Sequence, residues 1–215
     1  MNLRYENKKL KQGFHYIIGC DEVGRGCLAG PVVAAAAALR PRVKSEKLQV
    51  KSLRAIKDSK LLSAKQREEI DITIKQNFLW GIRVVSEEVV DEINIHNATL
   101  LAMKKAVEML ISAYSHELAL VGKTFVTIDG KFTIPNLNIK QEAVVDGDNK
   151  ILSIAAASII AKVYRDELMR KLHQQYPIYN FAQHKGYGTL FHRTMILQNG
   201  LSPIHRSSFC KNLTV

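Results

Sequence analysis

The chain has 215 residues, 47% of them hydrophobic and 24% charged, which suits one soluble domain with a full core and excludes a disordered or fibrous chain. Its formal charge of +11 points to a polyanionic partner, nucleic acid ahead of an anionic membrane surface. No apolar run approaches the length of about 18 residues that spans a bilayer, residues 1–13 lack a signal-peptide core, and three cysteines without a C-x-x-C pattern (Cys20, Cys27, Cys210) argue for a reducing cytoplasm over a disulfide framework or a zinc knuckle.

In chain order, a polar N-terminal segment over 1–14 leads into I-I-G-C-D-E-V-G-R-G-C-L-A-G-P at 17–31. Tyr16, Ile17 and Ile18 have strand character, and the adjacent carboxylates Asp21 and Glu22 follow at the strand's exit. Buried acids need a partner, usually a metal ion, and neighbouring strand residues point to opposite faces, so the pair converges only where the strand bends or ends. The alternative is a strand closing in a polar hairpin turn. The loop Gly24-Arg25-Gly26 supplies backbone freedom and allows close approach to a ligand. Residues 32–39 read as a return strand, because Pro31 and the valines outweigh the helix propensity of the run Ala34 to Ala38. A basic loop follows over 40–55, then Lys57-Asp58-Ser59-Lys60. Lys60 is either a solvated lysine or a phosphate contact. Ser63 with Gln66 forms a capping-box pattern for a helix from 64 to about 76.

Residues 78–85 read as a strand, 87–93 as a short acidic helix capped by Ser86, and 97–115 as an amphipathic helix. Glu87, Glu88, Asp91 and Glu92 read as a solvated face with no assigned role. A strand at 123–128 ends in Asp129-Gly130, repeating the opening pattern of strand, acid and glycine. Asp146-Gly147-Asp148 precedes a helix over 151–173 rich in small residues. A loop after Tyr176-Pro177 carries H-K-G-Y-G-T at 184–189, and a last helix runs to Asn199, closed by Gly200. The alternation of strands and helices argues for a mixed α/β sheet packed by helices. Asp21, Glu22, Asp129 and one of Asp146 or Asp148 fall at strand ends, where together they form an all-oxygen cluster suited to Mg²⁺ or Mn²⁺. Two such ions about 4 Å apart activate a water and stabilise the leaving oxygen of a phosphodiester. A basic rim around an acidic centre fits a nucleic-acid backbone. Metal-activated water needs no histidine base, so His184 and His192 receive no catalytic role.

D-E-V-G-R-G-x-L-A-G-P-V at 21–32 resembles the opening motif of the type 2 ribonucleases H, specifically bacterial ribonuclease HII. So do D-S-K-x-L-S at 58–63, I-D-G at 128–130, the block from Gly147 to Asp166 with I-A-A-A-S-I-I-A-K-V-x-R-D, and H-K-G-Y-G-T at 184–189. The resemblance implies a catalytic domain over 15–209 with a short tail at 210–215: a ribonuclease H-like mixed sheet flanked by helices, with a small helical C-terminal part. It also implies Mg²⁺- or Mn²⁺-dependent cleavage of RNA paired with DNA, including cuts 5′ of single ribonucleotides in duplex DNA that leave 3′-hydroxyl and 5′-phosphate ends. By motif position, Asp21, Glu22, Asp129 and Asp148 match the metal-binding acids. Gly24, Arg25 and Gly26 match the loop that reads the ribose 2′-hydroxyl. Tyr187 matches the tyrosine that stacks on the sugar at the RNA–DNA junction. Lys60, Ser158 and Lys162 match backbone-phosphate or supporting contacts.

Two departures stand out. Cys27 replaces the family's usual proline, a change that loosens the reading loop without removing its glycines, and Asp146 places an extra acid before Gly147-Asp148. The short tail leaves little room for a partner-binding extension, so the expected partner is nucleic acid alone, with no membrane and no replication clamp, and the expected state is a monomer. The rival readings are a ribonuclease HIII-like enzyme confined to longer hybrids, and a non-catalytic basic nucleic-acid-binding protein.

Overall fold

The computed structural model describes residues 3–40, 56, 62–116 and 123–213. Its centre is one five-stranded sheet made of β1 (Tyr16–Val23), β2 (Val32–Leu39), β3 (Phe78–Val85), β4 (Thr124–Asp129) and β5 (Lys140–Val144), in the order β3-β2-β1-β4-β5. The first three strands form an antiparallel meander, while β4 and β5 add in parallel beside β1. The alanine run of β2 is an extended, fully buried central strand. Two strand neighbours satisfy its backbone there, and methyl side chains let helices approach from both faces, so tertiary context overrides the helix propensity of alanine.

Helix α1 covers Arg4–Lys11, α2 covers Ala64–Asn77, α3 covers Glu87–Ala113, the single turn α4 covers Gly147–Lys150, and α5 covers Leu152–Gln175. Helix α3 covers one face of the sheet, packing Met103, Val107 and Leu110 on Ile18, Cys20, Ala36 and Val126. Helices α2 and α5 cover the other, where Ile74, Ala156 and Ile160 meet Ala35, Ala37 and Ile82. At Gly19 of β1 a Cβ would lie 2.1 Å from the Ser153 carbonyl carbon, so only glycine admits α5 this close to the strand. A third, smaller core gathers the C-terminal part: α6 (Phe181–His184), α7 (Leu190–Asn199) and α8 (Ser207–Cys210), with Met169, Phe181 and Ile196 at its centre.

The expected mixed sheet flanked by helices with a small helical C-terminal part is the observed architecture. The capping box of α2 is present, with Ser63 Oγ accepting from Gln66 N and Gln66 Oε1 accepting from Ser63 N. The two expected helices over 87–115 meet inside α3 at Asn94, whose backbone (φ 64°, ψ 163°) breaks the helix. Its Oδ1 accepts from the amides of His96 and Asn97 and so caps the second part. Three elements go beyond the sequence reading. Strand β1 runs through both acids to Val23 instead of ending before them. The edge strand β5 has little apolar alternation to announce it. Helix α1 lies inside the stretch read only as polar, and its buried Glu6 accepts from the amide of Ser153 at 3.0 Å, at the start of α5. Among the described residues no helix is long and apolar enough to cross a membrane.

Candidate active site

The sheet's register brings the acids together. Strands β1 and β4 are parallel neighbours with Cys20 opposite Ile128, so Asp21 and Asp129, one residue further along each, emerge side by side at the carboxyl ends. Asp21 is 6% exposed and accepts from the Ser158 hydroxyl on α5 and, at 2.8 Å, from the amide of Glu22. Asp129 Oδ1 accepts from the amide of Gly147 at 2.7 Å, which ties β4 to the turn that carries Asp148. Asp148 is half-buried on α4 and accepts from Asn149 Nδ2 at 3.1 Å, whereas Asp146 is exposed at a left-handed position (φ 55°).

Burial pushes the Asp21 carboxyl well above the ordinary carboxylate range, and the charges of Glu22 and Asp129 push it further, against the Ser158 hydrogen bond. Glu22 is raised as well, first by burial and then by Asp129, with Arg25 opposing. Asp21, Glu22 and Asp129 therefore behave as one electrostatic unit whose repulsion a cation relieves. Their donor atoms are all carboxylate oxygens, the set that hard divalent ions take. Among the described residues no three acid, histidine or cysteine side chains are already gathered at coordinating distance, so the site is charged in advance of any ion rather than preformed around one.

The loop after β1 is held from below by two arginines. Arg165 of α5 donates to the carbonyls of Pro31 (3.0 Å), Lys185 (2.8 Å) and Ala29 (3.2 Å). Arg206 donates twice to the Gly30 carbonyl, at 2.9 and 2.7 Å, and once to the Arg25 carbonyl at 3.0 Å. Both guanidinium groups are fully buried. Gly24 has φ 98°, and a Cβ there would lie 2.3 Å from Arg165 Nε, so conformation and contact both require glycine. Gly26 is exposed, lies outside the left-handed region, and a Cβ there would meet nothing within 4 Å. The Arg25 side chain is 49% exposed and reaches Glu22 Oε1 at 3.4 Å. Cys27 is wholly buried. It forms an antiparallel bridge with Tyr187, and its thiol lies 3.7 Å from the Lys185 carbonyl.

Tyr187, 42% exposed, sits across from the acids. A groove of about 350 Å³ runs between them, lined by Glu22, Val23, Arg67, Ser158, Ile159, Lys162 and Tyr187. Lys162 bonds Asp166 at 2.8 Å and leaves part of its side chain on the groove wall. The structure thus brings Glu22, Ser158, Lys162 and Tyr187 to one cleft, and joins Asp21 to it through the Ser158 hydrogen bond and Asp129 through its charge on Asp21 and Glu22. Asp148 is carried on the turn bonded to Asp129, while Gly24, Arg25 and Gly26 form the loop directly after β1. Lys60 lies outside the described residues. Arg67, Arg165 and Arg206 escape the sequence reading, although Arg165 falls within the block 147–166. Only the fold shows that these cations meet the groove and the loop. Asp91, read as solvated, accepts from the amides of Ser207 (2.7 Å) and Ser208 (3.1 Å), and so anchors the short helix that follows Arg206. His184 and His192 are buried away from the acids, stacked on each other at 4.3 Å between ring centres.

A mixed sheet with clustered acids at parallel strand ends, beside a cleft lined by Arg67 and Lys162 and followed by a glycine loop, defines a nuclease-type site on a ribonuclease H-like fold. The family model for ribonuclease HII matches residues 18–212. The ribonuclease HII of Caldicellulosiruptor saccharolyticus is 43% identical over 209 residues, covering 97% of this chain and 93% of that protein. The chain belongs to the ribonuclease HII family. Among solved structures, the ribonuclease HII of Archaeoglobus fulgidus, determined in complex with PCNA, superposes with a TM-score of 0.66 at 26% identity, covering 92% of this chain and 96% of that one. A Bst ribonuclease HIII in complex with Mn²⁺ shares the fold, with a TM-score of 0.67 at 20% identity, over 89% of this chain and 65% of that chain.

Proposed function

We propose that this protein is a divalent-metal-dependent endonuclease that hydrolyses the RNA strand of RNA–DNA hybrids and cuts 5′ of single ribonucleotides embedded in duplex DNA, leaving 3′-hydroxyl and 5′-phosphate ends. The observation that carries the reading is the electrostatic unit of Asp21, Glu22 and Asp129 at the head of a cleft walled by Tyr187 and Lys162. Asp21, Glu22, Asp129 and Asp148 are the residues to hold Mg²⁺ or Mn²⁺, which, when bound, supplies an activated water and neutralises charge on the scissile phosphate. Ser158 keeps the Asp21 carboxylate aimed through its hydrogen bond. Gly24, Arg25 and Gly26 present backbone to the ribose 2′-hydroxyl, and the open space at Gly26 is where the sugar approaches. Tyr187 stacks on the adjoining sugar, Lys162 and Arg67 contact phosphates from the groove wall, and Lys60 has the same role by its motif. The partner is the nucleic acid. The protein acts as a monomer in the cytoplasm, removing misincorporated ribonucleotides and RNA primers.

The test is cleavage of three labelled duplexes in Mg²⁺ or Mn²⁺: one with a lone ribonucleotide, one RNA–DNA hybrid and one all-DNA. A 5′-side cut at the lone ribonucleotide, lost in Asp21→Asn and in EDTA, is the expected result. Cleavage of the hybrid alone would move the assignment to a ribonuclease HIII-like activity and remove the role of Tyr187. Binding without cleavage, unaffected by EDTA, would leave a basic binding protein.

A further inference from the structure

Behind Tyr187 lies a run of hydrogen bonds whose two ends are backbone groups of fixed polarity. The amide of Ser202 donates to His205 Nδ1 at 2.9 Å, so that nitrogen is bare, and the Ser202 hydroxyl lies 2.8 Å from the same atom. His205 then carries its proton on Nε2, which faces His192 Nε2 at 3.0 Å. Two N–H groups cannot face each other, so His192 Nε2 is bare and its proton sits on Nδ1. That Nδ1 lies 2.9 Å from the Tyr187 carbonyl, which only accepts. The Tyr187 carbonyl also accepts from the Thr189 amide at 2.8 Å, and Tyr187 N donates to the His184 carbonyl at 2.9 Å. Both rings are out of solvent, His192 at 0% and His205 at 4% exposure, and Phe181 sets its edge or face against each.

We propose that His192 and His205 are positioning residues for Tyr187: two neutral imidazoles of opposite tautomer forming a one-way hydrogen-bond relay from the Ser202 amide to the Tyr187 carbonyl. A doubly protonated ring at either place would set donor against donor or leave an N–H facing the Ser202 amide. Burial favours the neutral rings, pushing the proton affinities of His192 and His205 down to about 4. The bridge to Cys27 holds the same residue from the loop. The peptide that presents the phenol to the cleft is thereby fixed between the reading loop and the C-terminal segment. The functional consequence rests on the proposed role of Tyr187 as the sugar-stacking residue; the existence of the relay does not.

Two measurements test it. The first reads the histidine ring nitrogens of the ¹⁵N-labelled full-length protein at neutral pH by long-range ¹H–¹⁵N correlation. His205 is expected as the Nε2–H tautomer and His192 as the less common Nδ1–H tautomer. The same tautomer at both, or a doubly protonated ring, overturns the relay, and this arm needs no variant to fold. The second is single-turnover cleavage at a lone ribonucleotide by His192→Asn, Tyr187→Ala and the double variant, with His205→Leu as an independent break. His192→Asn and His205→Leu are expected to slow cleavage about 10-fold, as loss of an orienting partner commonly does, with the double variant no slower than Tyr187→Ala alone. Losses that multiply in the double variant would overturn the positioning role. Wild-type cleavage by Tyr187→Ala would instead overturn the tyrosine's role, and the positioning role with it, while the tautomers still decide the relay.

Discussion

Gly24 and Gly26 flank one arginine, yet the structure gives them different reasons to be glycine, and a pair of alanine variants separates those reasons. At Gly24 a Cβ would sit 2.3 Å from Arg165 Nε and 2.9 Å from the Pro31 carbonyl, at φ 98°. The left-handed conformation alone costs a non-glycine residue about 1–2 kcal/mol, so Gly24→Ala destabilises by at least that much. For a protein of this size about 1 kcal/mol moves Tm by about 2–4 °C, so a fall of about 4 °C or more is expected. At Gly26 a Cβ meets nothing within 4 Å and the backbone is outside the left-handed region. Alanine there restricts only the unfolded chain, worth about 0.4–1 kcal/mol of added stability, so Tm stays level or rises by a few degrees. Its methyl group, however, enters the space assigned to the ribose. Losing one 2′-hydroxyl hydrogen bond costs about 0.5–1.5 kcal/mol, or about 2- to 13-fold in rate, and displacement of the sugar adds to it. The expected outcome for Gly26→Ala is a fall of about 10-fold or more in kcat/KM on a lone-ribonucleotide duplex, with undiminished thermal stability by scanning fluorimetry. Unchanged cleavage with a stable fold would refute the ribose-reading assignment. A large drop in Tm would refute the claim that this position is sterically open.

Arg206→Met removes three guanidinium hydrogen bonds from the Gly30 and Arg25 carbonyls, and each buried acceptor left without a partner costs about 1–3 kcal/mol. A Tm drop of about 4 °C or more is expected; a smaller one would show that the loop holds its shape without the arginine. Asp21 has its proton affinity raised above the unfolded value, so its contribution to stability is present at low pH and lost as pH rises through the folded value. Asp21→Asn is therefore expected to abolish cleavage while raising the Tm of metal-free protein at pH 8, and an equal or lower Tm would contradict the burial argument. His192 and His205 are shifted the other way. Their contribution is present above the ordinary value of 6.5 and is lost as pH falls toward about 4, each imidazole withdrawing about 3 kcal/mol over that window. Urea unfolding at pH 7, 5 and 4 measures this, and His192→Asn is expected to flatten the slope; an unchanged slope would remove the histidines as its source.

The acids were legible because strand, acid and glycine recur at 17–26 and 123–130, and because a parallel pairing of the two strands places Asp21 beside Asp129. The strand character of 32–39 was legible from its flanks, since proline and valine outweigh alanine. What stayed hidden depends on long-range geometry. Arg206 lies 176 residues from the Gly30 carbonyl it binds, and Glu6 lies 147 residues from Ser153. Nothing local distinguishes either from a solvated charge. Strand β5 stayed hidden for a different reason. Its face toward solvent needs no apolar alternation, and hydrogen bonding to β4 defines it. Asp91 belongs to the first class, an acid inside a charge run that meets its partners only when the C-terminal segment folds back.

The buried arginines near the cleft are arranged so that they do not neutralise Asp21 and Glu22. Arg165 and Arg206 lie fully buried beneath the same loop that follows Asp21 and Glu22, and pairing with those acids would offset both desolvation costs at once. They bond carbonyls instead, and among the described residues neither is within ion-pair distance of a carboxylate. The half-exposed Arg25 touches Glu22, at 3.4 Å. Carbonyls satisfy the guanidinium hydrogens without cancelling their charge, so the loop rests on a positive base while the carboxylates keep their mutual repulsion. A cation brought to the acids then gains what internal arginine pairs would otherwise have taken. A phosphate crossing the loop meets positive potential from below. The same two arginines that fix the shape of Gly24-Arg25-Gly26 thus hold the loop without pairing to Asp21 or Glu22.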